Sequence, residues 1–207
     1  MDTSHISIEK LRRVNILEAA EVLAQAYYSN PLPLHAFGKM KRSKRLIKVR
    51  RIYRGIVESG LLIGHVYVVR RQGVIAGIAV AYSPNANARP LAMKLLHAAT
   101  VTSTGVRGAI AYSQFSKHIA QFKPTTPHWH LVAVGVAPGF QRQGIGQALV
   151  QHFNRIADKD GTPSFLTTAR EDQVPFYNAL GYKVTRLAAV PRMEEIVVRA
   201  MNRDAEA

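Results

Sequence analysis

One turn of the chain carries the clearest chemical pattern, because it joins an apolar strand to an amphipathic helix and reads Gln141-Arg142-Gln143-Gly144-Ile145-Gly146. Gly144 and Gly146 remove side chains where a ligand must approach the backbone. A helix N-terminus offers unpaired N–H groups and the positive end of its dipole to an anion, and Arg142 adds a formal charge. We therefore predict that these six residues bind a diphosphate.

Two other phosphate-binding motifs are incomplete in this chain. No Gly-x-x-x-x-Gly-Lys-Ser/Thr segment is present, which excludes a P-loop. The turn has only two of the three glycines of the dinucleotide fingerprint, and no acidic residue follows at the required distance. The absence of cysteine excludes disulfides, thiolate metal ligands and a cysteine nucleophile, and we expect no metal cofactor.

The elements around this turn alternate along the chain. Helical periodicity predicts helices over 14–28 and 39–59, with a proline-rich stop at 30–33 between them. Two β-rich runs around a glycine turn indicate a hairpin. The remaining predicted elements are helices over 91–112 and 113–122, interrupted near Gly105 and Gly108, then a strand at 130–136, the helix after Gly144, a strand at 164–168, a helix at 174–180, and strands near 183–189 and 195–200.

Two blocks resemble the acyl-CoA signature of the GNAT N-acetyltransferase superfamily. The first is Gln/Arg-x-x-Gly-x-Gly/Ala at Gln141, Gly144 and Gly146, and the second is Val-Pro-Phe-Tyr-Asn-Ala-Leu-Gly-Tyr at 174–182. The resemblance implies one mixed α/β domain over residues 1–207, with splayed central strands and an acyl-CoA-binding core at about 128–200. It also implies acetyl-CoA as cosubstrate. The second block and the segment around His128 are most similar to the puromycin N-acetyltransferase-like branch.

The family likeness assigns roles to the strand before the turn and to Tyr177. In this family that strand splays from its neighbour and pairs with the pantetheine arm, which implies that Val134, Gly135 and Val136 contact the cofactor. Gly135 is also a candidate bulge residue, because a glycine inside a strand often marks a bulge. Tyr177 resembles the general acid that meets the departing sulfur. A phenol is a weaker acid than a thiol by about 2 kcal/mol, so we expect a hydrogen bond to the developing thiolate before proton transfer.

His128 and His130 are the candidates for the base. They lie two residues apart and face the same side of a strand, and an imidazole that titrates near pH 6.5 suits base catalysis at neutral pH. His130 is favoured because it lies closer to the splay. Many family members use a glutamate on this strand, which contains none here. A structural or exposed role for both histidines, with a water chain as the base, remains the alternative.

The family's acceptor site is built from the loop after the first helix and neighbouring segments. The resemblance therefore implies Tyr27, Tyr28, His35, Phe37 and His128 as substrate-binding residues. This aromatic set suits a small apolar or aromatic amine, so we expect direct attack of a primary amine of a small molecule on acetyl-CoA. Gln173 and Thr167 replace the usual Asn and Glu of the branch. Two alternatives stay open: acetylation of protein N-termini or lysines, and a non-catalytic module that binds acyl-CoA or a polyanion.

The composition indicates one globular domain with an unusual charge. The chain has 207 residues, 47% of them apolar, and a formal net charge of +15. Much of that charge lies at 39–54, on a helix whose apolar stripe is Leu46, Val49, Tyr53 and Ile56. A solvated face and a surface for an anionic partner, such as RNA, an acidic protein or membrane lipid, both explain this pattern.

The N-terminus bears on where the protein works. Residues 1–10 are polar and lack the apolar core of a signal peptide, and no apolar run is long enough to span a membrane. We therefore expect a cytoplasmic protein without a membrane span. A homodimer remains open.

Overall fold

The computed structural model describes residues 6–84 and 90–206, which form one seven-stranded mixed sheet with helices on both faces. The strands are β1 (Ile8–Lys10), β2 (Gly64–Arg71), β3 (Val74–Tyr82), β4 (Trp129–Val136), β5 (Ser164–Thr168), β6 (Lys183–Val190) and β7 (Met193–Arg203). The helices are α1 (Ile16–Tyr27), α2 (Pro31–Phe37), α3 (Arg42–Ile63), α4 (Pro90–Thr102), α5 (Val106–Ala120), α6 (Ile145–Lys159) and α7 (Val174–Asn178). The predicted α/β class with splayed central strands is confirmed.

The sheet has the order β1-β2-β3-β4-β5-β7-β6. All neighbouring strands are antiparallel except β4 and β5, which run parallel and share three pairs, from Trp129 with Ser164 to Leu131 with Leu166. Beyond Leu131, β4 continues to pair with β3 alone. The two strands therefore separate at the centre of the sheet.

The bulge that accompanies this separation lies at Val132, and the prediction of a bulge at Gly135 is wrong. Val80 pairs with Ala133 and Ala81 pairs with Leu131, so Val132 is the extra residue on β4. Gly135 pairs regularly with Ile78. A Cβ at Gly135 would lie 2.9 Å from Leu23. A residue without a side chain is therefore needed here, because α1 crosses β4 closely.

Two apolar clusters pack on the two faces of the sheet. The first joins α1, α2, α3 and α5 to one face, and the second joins α6 and α7 to the other. The buried side of α6 presents Ile145, Leu149 and Phe153, which follow helical spacing. The helix that begins at the glycine turn is thus fixed along its length against β2, β3 and β4.

Several boundaries differ from the sequence expectations. The first helix ends at Tyr27, before the proline-rich stop as predicted, but prolines 31 and 33 then lie in the first turn of α2, where a missing N–H costs nothing. The second predicted helix begins at Arg42 rather than 39 and extends to Ile63. The interruption predicted near Gly105 is confirmed, because α4 ends at Thr102, α5 begins at Val106 and the φ of Gly105 is 83°. The interruption predicted near Gly108 is wrong, since Gly108 lies within α5. The first strand, β1, has three residues and was not predicted. None of the described helices is both long and apolar enough to cross a membrane.

Candidate active site

The turn between β4 and α6 has a backbone shape that suits a bound anion. Gly144 has a φ of 78° and a ψ of −6°, a left-handed conformation that glycine adopts at little steric cost. Arg142 also has a positive φ, of 61°. The Nε2 atom of Gln141 donates to the carbonyl of Val136 at 3.1 Å, which ties the turn to the end of β4. These backbone angles and this hydrogen bond fix the conformation of the turn.

The first turn of α6 has main-chain N–H groups without helical acceptors. The bond from the Ala148 N–H to the Gly144 carbonyl measures 2.9 Å, and the N–H groups of residues 145–147 precede it. A Cβ built on Gly146 would lie 3.6 Å from Val136 and 3.8 Å from Phe176. A larger side chain would therefore fill the space beside the helix N-terminus, which glycine leaves open for an anion.

A cleft of about 540 Å³ runs along this turn and is called the phosphate cleft below. It is lined by eight of the nine residues that the sequence predicts for cofactor binding: Val134, Gly135, Val136, Gln141, Arg142, Gly144, Ile145 and Gly146. Gln143 does not line it, and its exposed amide points back to the Gly139 carbonyl at 3.5 Å. Arg170 also lines the cleft but is ion-paired with Asp172, and no carboxylate is found among the described lining residues.

A second cavity, of about 340 Å³, lies where β4 and β5 separate, and is called the inner cavity. Its walls are mostly apolar and aromatic, with contributions that include Leu32, Ile52, Tyr53, Ile56, Tyr82, Tyr112, Phe115, Ile119, Leu131 and Val132. The inner cavity and the phosphate cleft share five lining residues, Tyr27, Asn30, Val134, Gln173 and Tyr177. The two spaces therefore meet at a junction between β4 and α7.

Tyr177 lies at this junction on the short helix α7. The side chain is 8% exposed, and its ring packs edge-on against Tyr182 with centroids 6.0 Å apart. Burial raises the pKa of Tyr177, and the neighbouring phenols Tyr27 and Tyr182 raise it further. The hydroxyl is therefore uncharged near neutral pH and keeps a proton that it can donate.

A buried hydrogen-bond network, which the sequence analysis missed, fixes the chain around Tyr177. Ser164 Oγ donates to the Tyr182 hydroxyl at 3.0 Å, and this hydroxyl donates to Asn154 Oδ1 at 3.0 Å. Asn154 Nδ2 in turn donates to the Leu180 carbonyl at 3.0 Å. The network joins β5, α6 and the chain after α7. In the sequence, the network was indicated only by Tyr182, the last residue of the block at 174–182.

His130 lines the inner cavity but is poorly placed to hold a proton. It is 8% exposed, and its Nδ1 atom is buried without a hydrogen-bond partner among the described residues. Burial lowers the pKa of His130 well below the usual value for histidine, and the charges of Lys123 and His128 lower it further. The imidazole is therefore neutral at pH 7.

Two of the residues predicted for acceptor binding adjoin each other at the end of α1, with different outcomes. Tyr27 lines both spaces, and its hydroxyl accepts a hydrogen bond from the Val134 N–H at 3.2 Å. Tyr28 lines neither. Its ring lies under the Arg45 guanidinium, 4.1 Å from ring centroid to Cζ, and its hydroxyl accepts a bond from Arg45.

The structure places the other three predicted acceptor residues away from both spaces. His35 Nδ1 contacts Glu195 Oε1 at 2.5 Å, which lowers the pKa of Glu195. Phe37 is 2% exposed in the apolar core. His128 Nδ1 contacts the Thr126 carbonyl at 2.8 Å. The walls of the inner cavity come instead largely from α3 and α5, whose sequences carry no motif.

Comparison with known proteins matches this arrangement of sheet, turn and cleft. The family model described as the acetyltransferase (GNAT) domain matches residues 62–184, which include the phosphate turn and most of both cavity walls. The chain belongs to the GNAT acetyltransferase family. Among the described side chains of this GNAT protein, no group of three or more His, Cys, Asp or Glu could hold a metal ion.

Solved structures share the GNAT fold along nearly the whole chain. A Corynebacterium glutamicum protein described as "histone acetyltransferase HPA2 and related acetyltransferase" is 19% identical, with a TM-score of 0.71 and coverage of 98% of this chain and 97% of its own. Arylalkylamine N-acetyltransferase 2 from Aedes aegypti is 13% identical, with a TM-score of 0.61 and coverage of 98% and 100%. The ribosomal-protein-S18-alanine N-acetyltransferase from Escherichia coli is 15% identical, with a TM-score of 0.56 and coverage of 98% and 96%. These GNAT proteins are named for three different kinds of acceptor.

Proposed function

We propose that this GNAT protein transfers the acetyl group of acetyl-CoA to a primary amine of a small molecule with an apolar or aromatic body. The observation that carries the proposal is the junction at Tyr177, where a cleft suited to a diphosphate meets a separate, mostly apolar cavity. A donor and an acceptor that enter from these two sides would bring their reacting ends together beside one phenol.

The residues of the phosphate cleft fit acetyl-CoA. The N–H groups at the start of α6 and the charge of Arg142 would hold the diphosphate, and Gly146 leaves the space that it needs. Val134, Gly135 and Val136 would lie along the pantetheine arm, because β4 has no β5 partner there. When bound, acetyl-CoA supplies a thioester carbon that an amine attacks, with the CoA thiol as leaving group.

Tyr177 would donate its hydroxyl proton to the sulfur as negative charge develops there. Burial keeps the phenol neutral, so the interaction is a hydrogen bond that becomes stronger as the sulfur gains charge. The first role of the residue is therefore to stabilise the leaving group, and the proton moves later.

The proton of the amine needs a separate route. Freeing an alkylamine from its proton at pH 7 costs about 4 to 5 kcal/mol in water. A mostly apolar cavity lowers this cost because it disfavours the ammonium form. His130 is neutral and would accept a proton from the nitrogen after attack, when that nitrogen is most acidic. Its burial makes it a weak base, so we assign it this late step rather than deprotonation of the free ammonium.

The size and lining of the inner cavity support a small acceptor. A volume of about 340 Å³ is at the lower end of the range for small-molecule sites, and the walls enclose it with aromatic rings. Gln173 and Thr167, the two positions that depart from the puromycin N-acetyltransferase-like pattern, both line this cavity. We therefore propose that the acceptor differs from that of the branch, and that protein lysines and N-termini are poorer acceptors than small amines.

The test is release of the CoA thiol with a panel of primary amines, with acetylated product identified by mass spectrometry. Aromatic amines such as phenethylamine should be acetylated, whereas a lysine-containing peptide of mixed sequence should react far more slowly. The Tyr177→Phe variant is the control for non-enzymatic transfer. If the peptide is the better acceptor, the proposed substrate class is wrong. If acetyl-CoA binds and no amine or peptide is acetylated, the protein is a binding module.

The basic segment from Lys39 to Lys44, which leads into the start of α3, supports a further part of the proposal, an anionic partner. Lys39, Lys41, Arg42 and Lys44 are exposed and form no ion pair with a described carboxylate, whereas Arg50 and Arg54 pair with Glu21 and Glu58. Reversal of Lys39, Lys41 and Lys44 to Glu should abolish binding to a polyuridine probe and leave amine acetylation within a few-fold. Wild-type binding should weaken steeply with salt. Salt-independent or absent binding in the wild type would leave the charges as a solvated face.

A further inference from the structure

The inner cavity has an uneven charge. Among the described residues that line it, Lys123 is the one with a formal charge at pH 7, and there is no carboxylate. The sequence explains this, because no Asp or Glu occurs between Glu58 and Asp158. The segments β2, β3, α5 and β4, which supply three of the seven strands and one wall of the cavity, therefore contain no negative side chain.

Among the residues that the structure describes, Lys123 has no partner of opposite charge. It follows α5 and forms no ion pair or hydrogen bond with a residue that the structure describes. The residue as a whole is exposed, while partial burial of the ammonium lowers its pKa. The two nearby titratable groups, His128 and His130, are not acidic. An ammonium in this position is a binding group that the protein itself does not neutralise.

One face of α5 adds neutral donors to the same wall. Tyr112, Ser116 and Ile119 line the cavity at helical spacing, and Lys123 follows four residues after Ile119. The Tyr112 hydroxyl is buried without a hydrogen-bond partner among the described residues. Burial raises the pKa of Tyr112, so this hydroxyl keeps its proton and is available as a donor. The wall thus offers an acceptor a buried neutral donor in addition to the ammonium of Lys123.

From this geometry we infer that the acceptor amine carries a carboxylate, which binds Lys123 while the amine reaches Tyr177. The inference rests on the proposed function. Lys123 is exposed and Tyr177 is buried, so the carboxylate lies at the outer end of the cavity and the nitrogen at the inner end. Lys123 would act as a specificity residue. An acceptor with a second positive charge would meet repulsion with no compensating carboxylate.

The test compares three acceptors of one skeleton: phenethylamine, 4-(2-aminoethyl)benzoate and 4-(aminomethyl)phenethylamine. The wild type should prefer the benzoate over phenethylamine in kcat/KM by roughly five- to fiftyfold, as expected for one charge-assisted contact. Lys123→Met should remove the preference, Lys123→Arg should keep it, and Lys123→Glu should shift it toward the diamine. Lys117→Met, which changes an exposed lysine of α5 that does not line the cavity, is the matched control.

Binding without turnover separates this inference from the proposed function. The 4-ethylbenzoate anion should bind the wild type more tightly than 4-ethylbenzamide, and Lys123→Met should abolish the difference in Kd. This result, obtained without acetyl transfer, would support the anion site while the proposed function fails. Equal kcat/KM for all three amines in the wild type, together with equal Kd for anion and amide, would overturn the inference and leave the proposed function intact.

Discussion

The hydroxyl of Tyr27 accepts a hydrogen bond from the main-chain N–H of Val134 with 3.2 Å between oxygen and nitrogen. Val134 belongs to the part of β4 that has no partner on β5, so its N–H would otherwise face the junction. Burial raises the pKa of Tyr27, and the bond from Val134 partly offsets this, so the phenol stays neutral. The hydroxyl keeps its own proton. Tyr27 therefore accepts the hydrogen bond of the Val134 N–H and offers another donor at the junction.

Tyr27→Phe should lower kcat about tenfold, because the variant loses a neutral donor at the place where a thioester oxygen would gain charge. Steady-state kinetics at saturating acetyl-CoA would measure the change. Tyr67→Phe, whose hydroxyl lies in the cluster on the opposite face of the sheet, is the matched control. A rise in kcat in Tyr27→Phe would mean that the hydroxyl blocks the Val134 N–H rather than extending it.

Tyr177→Phe should lower kcat by roughly ten- to a thousandfold and leave acetyl-CoA affinity nearly unchanged, since the hydroxyl matters only once the sulfur gains charge. Tyr182→Phe serves as the comparison. It should preserve most of kcat but cost about 1 to 3 kcal/mol of the free energy of unfolding, because buried Asn154 and Ser164 lose their shared partner. Unchanged kcat in Tyr177→Phe, with a rate-limiting chemical step, would assign leaving-group stabilisation to another group.

Gly146→Glu should abolish acetyl-CoA binding, because the side chain would place bulk and negative charge beside the start of α6. Calorimetry would measure the Kd. Gly139→Glu is a sharp control, since it adds the same charge to the same turn at a position with no heavy atom within 4 Å of a built Cβ. A folded Gly146→Glu protein that binds acetyl-CoA as the wild type does would place the diphosphate elsewhere.

The protein should lose stability as the pH falls below about 6.5, the usual pKa of histidine. Burial lowers the pKa of His130 in the folded state, so below pH 6.5 the unfolded chain binds a proton that the folded protein resists. His130→Gln should flatten this pH dependence in denaturant unfolding between pH 7.5 and 5. The decrease should not vanish, because burial also lowers the pKa of His65 and His152. An equally steep loss in the variant would contradict this account.

The shape of the turn between β4 and α6 was predictable because it depends on local sequence. Glycines at Gly144 and Gly146 act through backbone shape and free space within a few residues, and the adjoining strand and helix have clear periodicity. The same reasoning failed for Gly135, where a glycine that suggested a bulge was selected by contact with Leu23 on α1. Such a contact between distant segments leaves no local pattern.

An acceptor site could be predicted from the sequence, but most of the residues that line the inner cavity could not. Its walls include Ile52 and Tyr53 on α3, and Tyr112 on α5, which meet β4 through tertiary packing alone. The predicted acceptor residues were instead the aromatic residues near the end of α1, and of these Tyr27 alone lies at the junction. The prolines of α2 contributed to this error, because they read as a loop and form a helix that buries Phe37.

Because β4 and β5 share only three residue pairs in the described sheet, the sheet consists of two parts with a short connection between them. Strands β1 to β4 form one block and β5 to β7 another, and this short seam is the only main-chain ladder that joins them in the described sheet. Acetyl-CoA bound along β4 and against α7 would bridge both blocks. A ligand bound between the two parts of the sheet would therefore have two effects. It would place the thioester, and it would restrain local opening of the C-terminal strands.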